Sequence, residues 1–213
     1  MATTLWSAFY PYIQPYLPGC PEIVMESHLQ ESAAKFLERS EIWRFEIEKD
    51  FAVKNVADYP VFLPSSEAVL ENIYELVVDG RPVSRVTDKH LDSTRFAGAG
   101  CPTSYIIFQD TSIRFYPKPD KKYSYTGWGV LKTKLTAKGV EDWIFESHGR
   151  CISYGALGQL TSVPGKEWTN PELSMYYRMK FSKEADEAKS REYRRVATRV
   201  QSQDFAGRRR RAY

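Results

Sequence analysis

Cysteine and histidine are scarce in this chain, three of each among 213 residues. Cys20, Cys101 and Cys151 are odd in number and far apart, which argues against a disulfide framework and for a reducing compartment. His28, His90 and His148 have no second histidine or cysteine at ligand spacing; neither H-E-x-x-H nor C-x-x-C occurs. His148 is expected as a satisfied core residue, and His28 and His90 as exposed ones. There is no apolar run of roughly 18 residues, so no membrane span is expected. Residues 1–6 lack a basic stretch followed by an apolar one, so no signal peptide is expected.

Catalytic motifs are missing too. Gly165-Lys166 imitates the end of a phosphate-binding loop, but Leu160 stands where the first glycine belongs and Glu167 where a magnesium-binding hydroxyl belongs. Gly98-Ala99-Gly100 lacks the third glycine and the strand-to-helix setting of a dinucleotide site. Ser32 and Lys35 have the spacing of a serine–lysine pair but lie in an ordinary amphipathic helix pattern. Glu46 and Glu48 project to one side of a strand, and a solvated strand face explains them better than a cation site. No catalytic residue, metal or cofactor is expected.

What the chain does have is a globular composition, 42% hydrophobic and 27% charged, sufficient to bury a core. Aromatic residues reach 14%, including 14 tyrosines. Such a surplus suits either extensive interfaces or a β-rich core, and both readings hold for Tyr10–Tyr16 and Tyr123–Trp128. Charge is distributed unevenly. Tyr176 to Tyr213 carries 12 basic and 5 acidic residues, net +7, while the rest carries 18 and 22, net −4. The chain is thus a mildly acidic body with a basic C-terminal arm, and such arms seek nucleic acid, acidic protein surfaces or anionic lipid.

Hydrophobic period places the elements. Tyr10 to Gly19 reads as an extended lead-in. A helix is expected from Pro21, with Met25, Leu29, Ala33, Phe36, Ser40 and Trp43 on its apolar face. Alternation then marks strands over 45–53 and 68–78, with 83–86 pairing back across Asp79-Gly80. A short helical turn is expected over 88–94 and a loop over 96–102. A hairpin is expected from Tyr105–Phe108 and Ile113–Tyr116, and a long strand from Tyr123 to Leu135. Helical period returns near Val140, with the stripe Glu141, Phe145, His148, Ile152, Ala156 and Leu160. Gly149, Gly155 and Gly158 near that stripe imply another backbone close by. The last helix opens with Asn170 as its cap and Pro171 at its first position. Its stripe is Leu173, Tyr177, Phe181, Ala185 and Ala188. If helical to Val200 it is roughly 45 Å long at ~1.5 Å per residue, longer than a small core needs. Gly207 to Tyr213 reads as a flexible basic tag. The fold class is therefore α+β: an α-helical bundle (1–44 and 137–204), a β-rich insertion module (45–136), and a long C-terminal helix ending in a basic arm (205–213).

Several pieces occur in a familiar order. They are Leu17-Pro18-Gly19-Cys20-Pro21 with the helix through Ser40-Glu41-Ile42-Trp43-Arg44, then Ile113-Arg114-Phe115-Tyr116-Pro117-Lys118-Pro119. Cys151-Ile152-Ser153-Tyr154-Gly155-Ala156-Leu157-Gly158-Gln159-Leu160 follows, then Pro164-Gly165-Lys166-Glu167-Trp168-Thr169-Asn170-Pro171, and finally Tyr176, Tyr177, Phe181 and Ala188. Together, over most of the chain, they resemble head-to-tail adaptor (head-completion, connector) proteins of tailed double-stranded DNA bacteriophages. The resemblance implies a structural virion protein at the head–tail interface, present in the host cytoplasm during assembly. It implies a homo-oligomeric, typically dodecameric ring beneath the portal ring. A downstream tail protein (nozzle, stopper or tail tube) would lie below it, and packaged DNA would pass through its lumen. It also implies that the C-terminal arm meets the portal, which assigns portal binding to Arg194, Arg195, Arg199, Arg208, Arg209, Arg210, Arg211 and Tyr213. The run of four arginines is unusually basic for such an arm and leaves portal carboxylates and DNA both open. The alternative from a different class is a sequence-nonspecific nucleic-acid-binding protein that uses this arm.

Overall fold

The computed structural model describes residues 2–86, 98–108 and 111–209, with side chains as far as Arg195. The chain mixes helices and sheets and divides into two compact units, Met1–Ile42 with Leu135–Tyr213, and Trp43–Lys134.

The first unit is mainly helical. Strand β1 (Thr3–Leu5) pairs antiparallel with β12 (Gly139–Glu141), Thr3 opposite Glu141. Tyr10 to Gly19 was expected to be extended, yet the stretch from Trp6 to Tyr16 coils. One-turn helical segments cover Trp6–Phe9, α1 (Tyr10–Ile13) and Gln14–Tyr16. Pro11 and Pro15 each stand at the opening of a turn, where a missing N–H leaves no bond unmade. Trp6, Phe9, Ile13 and Leu17 are thereby turned into the core. Trp6 Nε1 donates to the Ala137 carbonyl at 2.7 Å, and the Phe9 and Phe145 rings meet edge-on at 4.9 Å.

Helix α2 (Glu22–Ser40) buries Met25, Leu29, Ala33, Phe36 and Leu37. It stops short of Trp43, which the sequence pattern placed on its face. Glu41 adopts a left-handed conformation (φ 54°), its N–H closes the helix on the Leu37 carbonyl at 2.9 Å, and Trp43 belongs to the second unit. Helix α3 (Asp142–Leu160) buries Ile152, Ala156 and Leu160 of its expected stripe, leaves Phe145 and His148 half-buried, and adds Ile144, Cys151, Ser153, Leu157 and three glycines. Gly158 answers the expectation of another backbone close by, whereas Gly155 is crowded by side chains. A Cβ on Gly158 would lie 2.8 Å from Arg178 Cγ and 3.2 Å from the Arg178 amide nitrogen, and one on Gly155 would meet Ser32 and the Phe181 ring. Gly149 differs, since its nearest neighbour is the Phe145 ring of its own helix.

Helix α4 (Pro171–Arg209) spans 39 residues, roughly 58 Å at ~1.5 Å per residue. Its start follows the capping logic: the Leu173 amide donates to Asn170 Oδ1 at 3.1 Å, with Pro171 at the first helical position. Ser174, Tyr177, Ala185 and Ala188 are buried, and α2, α3 and α4 pack against one another.

The second unit is β-rich. One sheet runs β2 (Arg44–Ala52), β11 (Tyr123–Thr133), β4 (Ala68–Val78), β5 (Arg81–Pro82). Another runs β3 (Asp58–Pro60), β9 (Ser112–Tyr116), β8 (Ser104–Phe108), β6 (Ser84–Arg85). The Phe115 and Tyr59 rings of the second sheet meet Tyr125 of the first at 5.4 and 5.8 Å, and Tyr105 Oη donates to the Ile73 carbonyl at 2.9 Å. The return strand over 83–86 pairs with β4 only in part. Arg81–Pro82 and the Val83 amide stay on β4, and Ser84–Arg85 then leave to run parallel beside β8. Tyr105 is the residue opposite Arg85, so this switch carries the chain from one sheet to the other. Within the stretch expected as a loop, Ala99–Gly100 (β7) pairs in parallel with Lys118–Pro119 (β10). The helical turn expected over 88–94, with His90, lies outside the described residues.

Candidate docking surfaces of the helical unit

The motifs weighed for chemistry resolve into structural contacts. Ser32 Oγ donates to the Ile152 carbonyl at 2.6 Å in a fully buried contact, while Lys35 Nζ turns to Glu31 at 2.6 Å. The two are therefore occupied separately. Gly165 (φ 72°) opens a turn in which the Lys166 amide donates to Thr169 Oγ1 at 2.9 Å, and the segment leads into the Asn170 cap. Glu46 and Glu48 are both exposed. Among the described residues there is no cluster of three or more His, Cys, Asp or Glu that could hold a metal ion, and no helix long and apolar enough to cross a membrane.

His148 is half-buried against the Phe36 ring, centroids 5.0 Å apart, and burial together with the nearby Arg191 charge lowers its pKa. His28, expected exposed, is also half-buried; its Nδ1 lies 2.8 Å from Gln159 Oε1, which ties α2 to α3. Cys151 is buried and Cys20 and Cys101 are half-buried; all three are free thiols. Burial pushes the Cys151 thiol up to about 12.

The basic end of α4 follows a set of ties to the end of α2. Arg39 of α2 holds Asp186 with two bonds of 2.8 Å, and Glu41 accepts from Lys189 at 2.7 Å and Tyr193 Oη at 3.1 Å. Past Tyr193, Arg194 and Arg195 are exposed; Arg194 Nε reaches the Ser190 carbonyl at 3.4 Å, and Arg195 lies 3.9 Å from Glu192. The helical backbone continues through Arg199, Arg208 and Arg209, so the first part of the segment expected as a flexible tag extends α4. The side chains of those three, and Arg210, Arg211 and Tyr213 altogether, lie outside the described residues.

Two further surfaces stand out on the helical unit, the second of them built in part from the Tyr10–Tyr16 stretch that the sequence offered as core or interface. On the first turns of α4, Met175, Tyr176 and Met179 are exposed at one helical spacing, at 66%, 45% and 60%. The second is a tyrosine cleft of about 240 Å³. The segment around α1 contributes Pro11, Tyr12, Pro15 and Tyr16 to its walls; α3 and α4 contribute Arg150, Tyr154 and Tyr177. Tyr154 stacks on Tyr177 at 5.7 Å with ring planes 16° apart, whereas Tyr16 and Tyr176 meet Tyr177 edge-on at 5.9 and 5.3 Å. Burial and the Tyr16 hydroxyl push the Tyr177 phenol up to about 12. Lys180 Nζ sits 5.2 Å from the Tyr154 centroid and 5.1 Å from that of Tyr176; hydrogen bonding to Tyr176 raises its pKa. The pairing of Pro and Tyr at 11–12 and 15–16 was the available signal, but an extended reading of Tyr10–Gly19 did not bring it to α3 and α4.

No known family model matches this chain, and no curated protein is significantly similar to it.

Proposed function

We propose that this chain is a structural, non-enzymatic head-to-tail adaptor of a tailed double-stranded DNA phage. In this reading it assembles as a ring under the portal and joins the capsid to the tail around the DNA passage. The observation that carries the reading is α4. Its described side-chain ties to the α2 end run from Asp186 to Tyr193, and its helical backbone continues from Arg194 to Arg209, roughly 24 Å at ~1.5 Å per residue. A monomer's core does not need that extension, and its sequence is strongly basic. In this reading the helical unit is the bundle domain, the β-rich unit is its insertion facing the next tail component, and the end of α4 is the arm. Arg194, Arg195, Arg199, Arg208, Arg209, Arg210, Arg211 and Tyr213 are the portal-binding residues. Guanidinium forks suit the carboxylates of an acidic ring, and many copies docking at once make weak individual arms hold firmly. Ring closure requires a head-to-tail contact between copies, with unlike surfaces meeting.

The test mixes the full chain with its cognate portal rings, beside a truncation ending at Gly207, and images the products by electron microscopy. A new ring on the portal that is lost on truncation supports both the adaptor and the arm. A ring with both forms keeps the adaptor and removes the arm's role. No ring with either form, combined with steeply salt-dependent DNA binding that weakens on truncation, replaces this reading with nonspecific nucleic-acid binding.

A further inference from the structure

The tyrosine cleft has a composition that core packing does not require. Tyr12 and Tyr16 remain 39% and 49% exposed although they line a concavity, and Arg150 on its rim has no hydrogen bond or ion pair among the described residues. Lys180 adds a second positive charge against Tyr154. None of the residues lining the cleft is acidic.

We infer that this cleft is a docking groove for an extended, proline-bearing acidic segment of another protein. Three features select that occupant. The volume, about 240 Å³, falls below the ~300–1,000 Å³ usual for pockets that enclose a cofactor or small ligand, but it suits side chains of a peptide lying across it. The walls are ridges of tyrosine and proline, the surface on which polyproline II segments seat their rings, because such segments are already extended and lose little entropy on binding. The charge has the complementary sign: Arg150, the one charged residue of the lining, offers an unoccupied fork to a carboxylate, and Lys180 lies beyond the lining against Tyr154.

The same geometry disfavours single-stranded nucleic acid, the other polymer that aromatic and basic residues attract. Stacked bases need free, roughly parallel ring faces. Here Tyr154 and Tyr177 already stack on each other, Lys180 covers Tyr154, and Tyr16 and Tyr176 meet Tyr177 edge-on. This inference stands on the cleft alone and does not depend on the adaptor reading.

The experiment is fluorescence anisotropy of the full chain with a labelled twelve-residue peptide alternating proline pairs with glutamate. Its partners are a peptide with lysine in place of glutamate and an oligothymidine of similar length. The expected result is micromolar affinity for the acidic peptide alone, weakened about tenfold or more by Arg150→Glu, the change expected for reversing one charge-assisted contact. Tyr16→Ala should weaken binding as well, while Met175→Ser, on α4 outside the cleft, should not. Arg150 is exposed and unpaired, so Arg150→Glu should melt like the wild type. The inference is overturned by no binding of the acidic peptide at millimolar concentration, by equal binding of the basic peptide, or by affinity that survives both Arg150→Glu and Tyr16→Ala. Competition by oligothymidine at equal strength also overturns it and reassigns the cleft to nucleic acid.

Discussion

Ser32 donates its hydroxyl to the backbone carbonyl of Ile152 at 2.6 Å, with both residues fully buried. The contact pins α2 to α3 at the level of Gly155, whose missing Cβ leaves the space that Ser32 and the Phe181 ring occupy. A serine that sequence spacing offered as part of a nucleophile pair is a helix-to-helix fastener.

Perturbing that fastener should show in equilibrium unfolding. Ser32→Ala should cost about 0.5–1.5 kcal/mol for the lost hydrogen bond. Gly155→Ala should cost about 1–3 kcal/mol, because the added methyl must displace a hydroxyl and a ring in a filled core. Urea midpoints that match wild type for both variants would contradict the contact.

The cap of α4 makes a second case. Asn170→Ala should destabilise by about 1 kcal/mol by orphaning the Leu173 amide, whereas Asn170→Asp should retain most of the stability. Equal melting curves for the two variants would show that Asn170 Oδ1 does not act as the cap.

Stability should fall in mild acid through His148. Its folded pKa lies below the ordinary imidazole value of about 6.5, because burial against Phe36 and the Arg191 charge disfavour the imidazolium. Protonation therefore favours the unfolded chain. The stabilising difference is fully present above about pH 6.5 and is lost as pH falls from there through the lower folded value. Melting temperatures taken from pH 7.5 to pH 5 should drop more steeply for wild type than for His148→Leu. Parallel curves would remove His148 as the cause.

Thiol labelling should divide the cysteines. Cys151 is buried between α3 and α4, and its pKa is pushed up to about 12, so a thiolate-selective reagent should leave it unmodified in the folded chain. Cys20 and Cys101 are half-buried and should react faster, with the third thiol appearing only on unfolding. Fast native modification of Cys151, read by mass spectrometry of the digest, would contradict its burial.

The β-rich unit carries its own test. Tyr105→Phe removes the buried bond to the Ile73 carbonyl and should cost about 1 kcal/mol, without loss of the tyrosine ring's packing. An unchanged unfolding midpoint would show that this link between the sheets contributes little.

By itself, the sequence determined the elements whose signals are local. The apolar period from Met25 to Phe36, the Asn170-Pro171 cap, and the strand signals of β4, β8, β9 and β11 each depend on neighbours a few residues away, and the sequence carries those neighbours directly. It also held the close backbone approach at Gly158, because glycine inside a helix is costly unless another element needs the space. Tertiary structure alone decided the rest. Tyr10–Gly19 coils because Trp6, Phe9, Ile13 and Leu17 gain burial against the helices, which a local extended reading of Pro and Tyr could not foresee. Helix α2 ends at Glu41, where a left-handed turn sends Trp43 to a different core. The strand after Val83 changes sheets because its partner, β8, lies about twenty residues further along the chain. The tyrosine cleft is decided at the same distance: Tyr16, Tyr154 and Tyr177 are remote in sequence, and only helix packing brings their rings together beside Arg150.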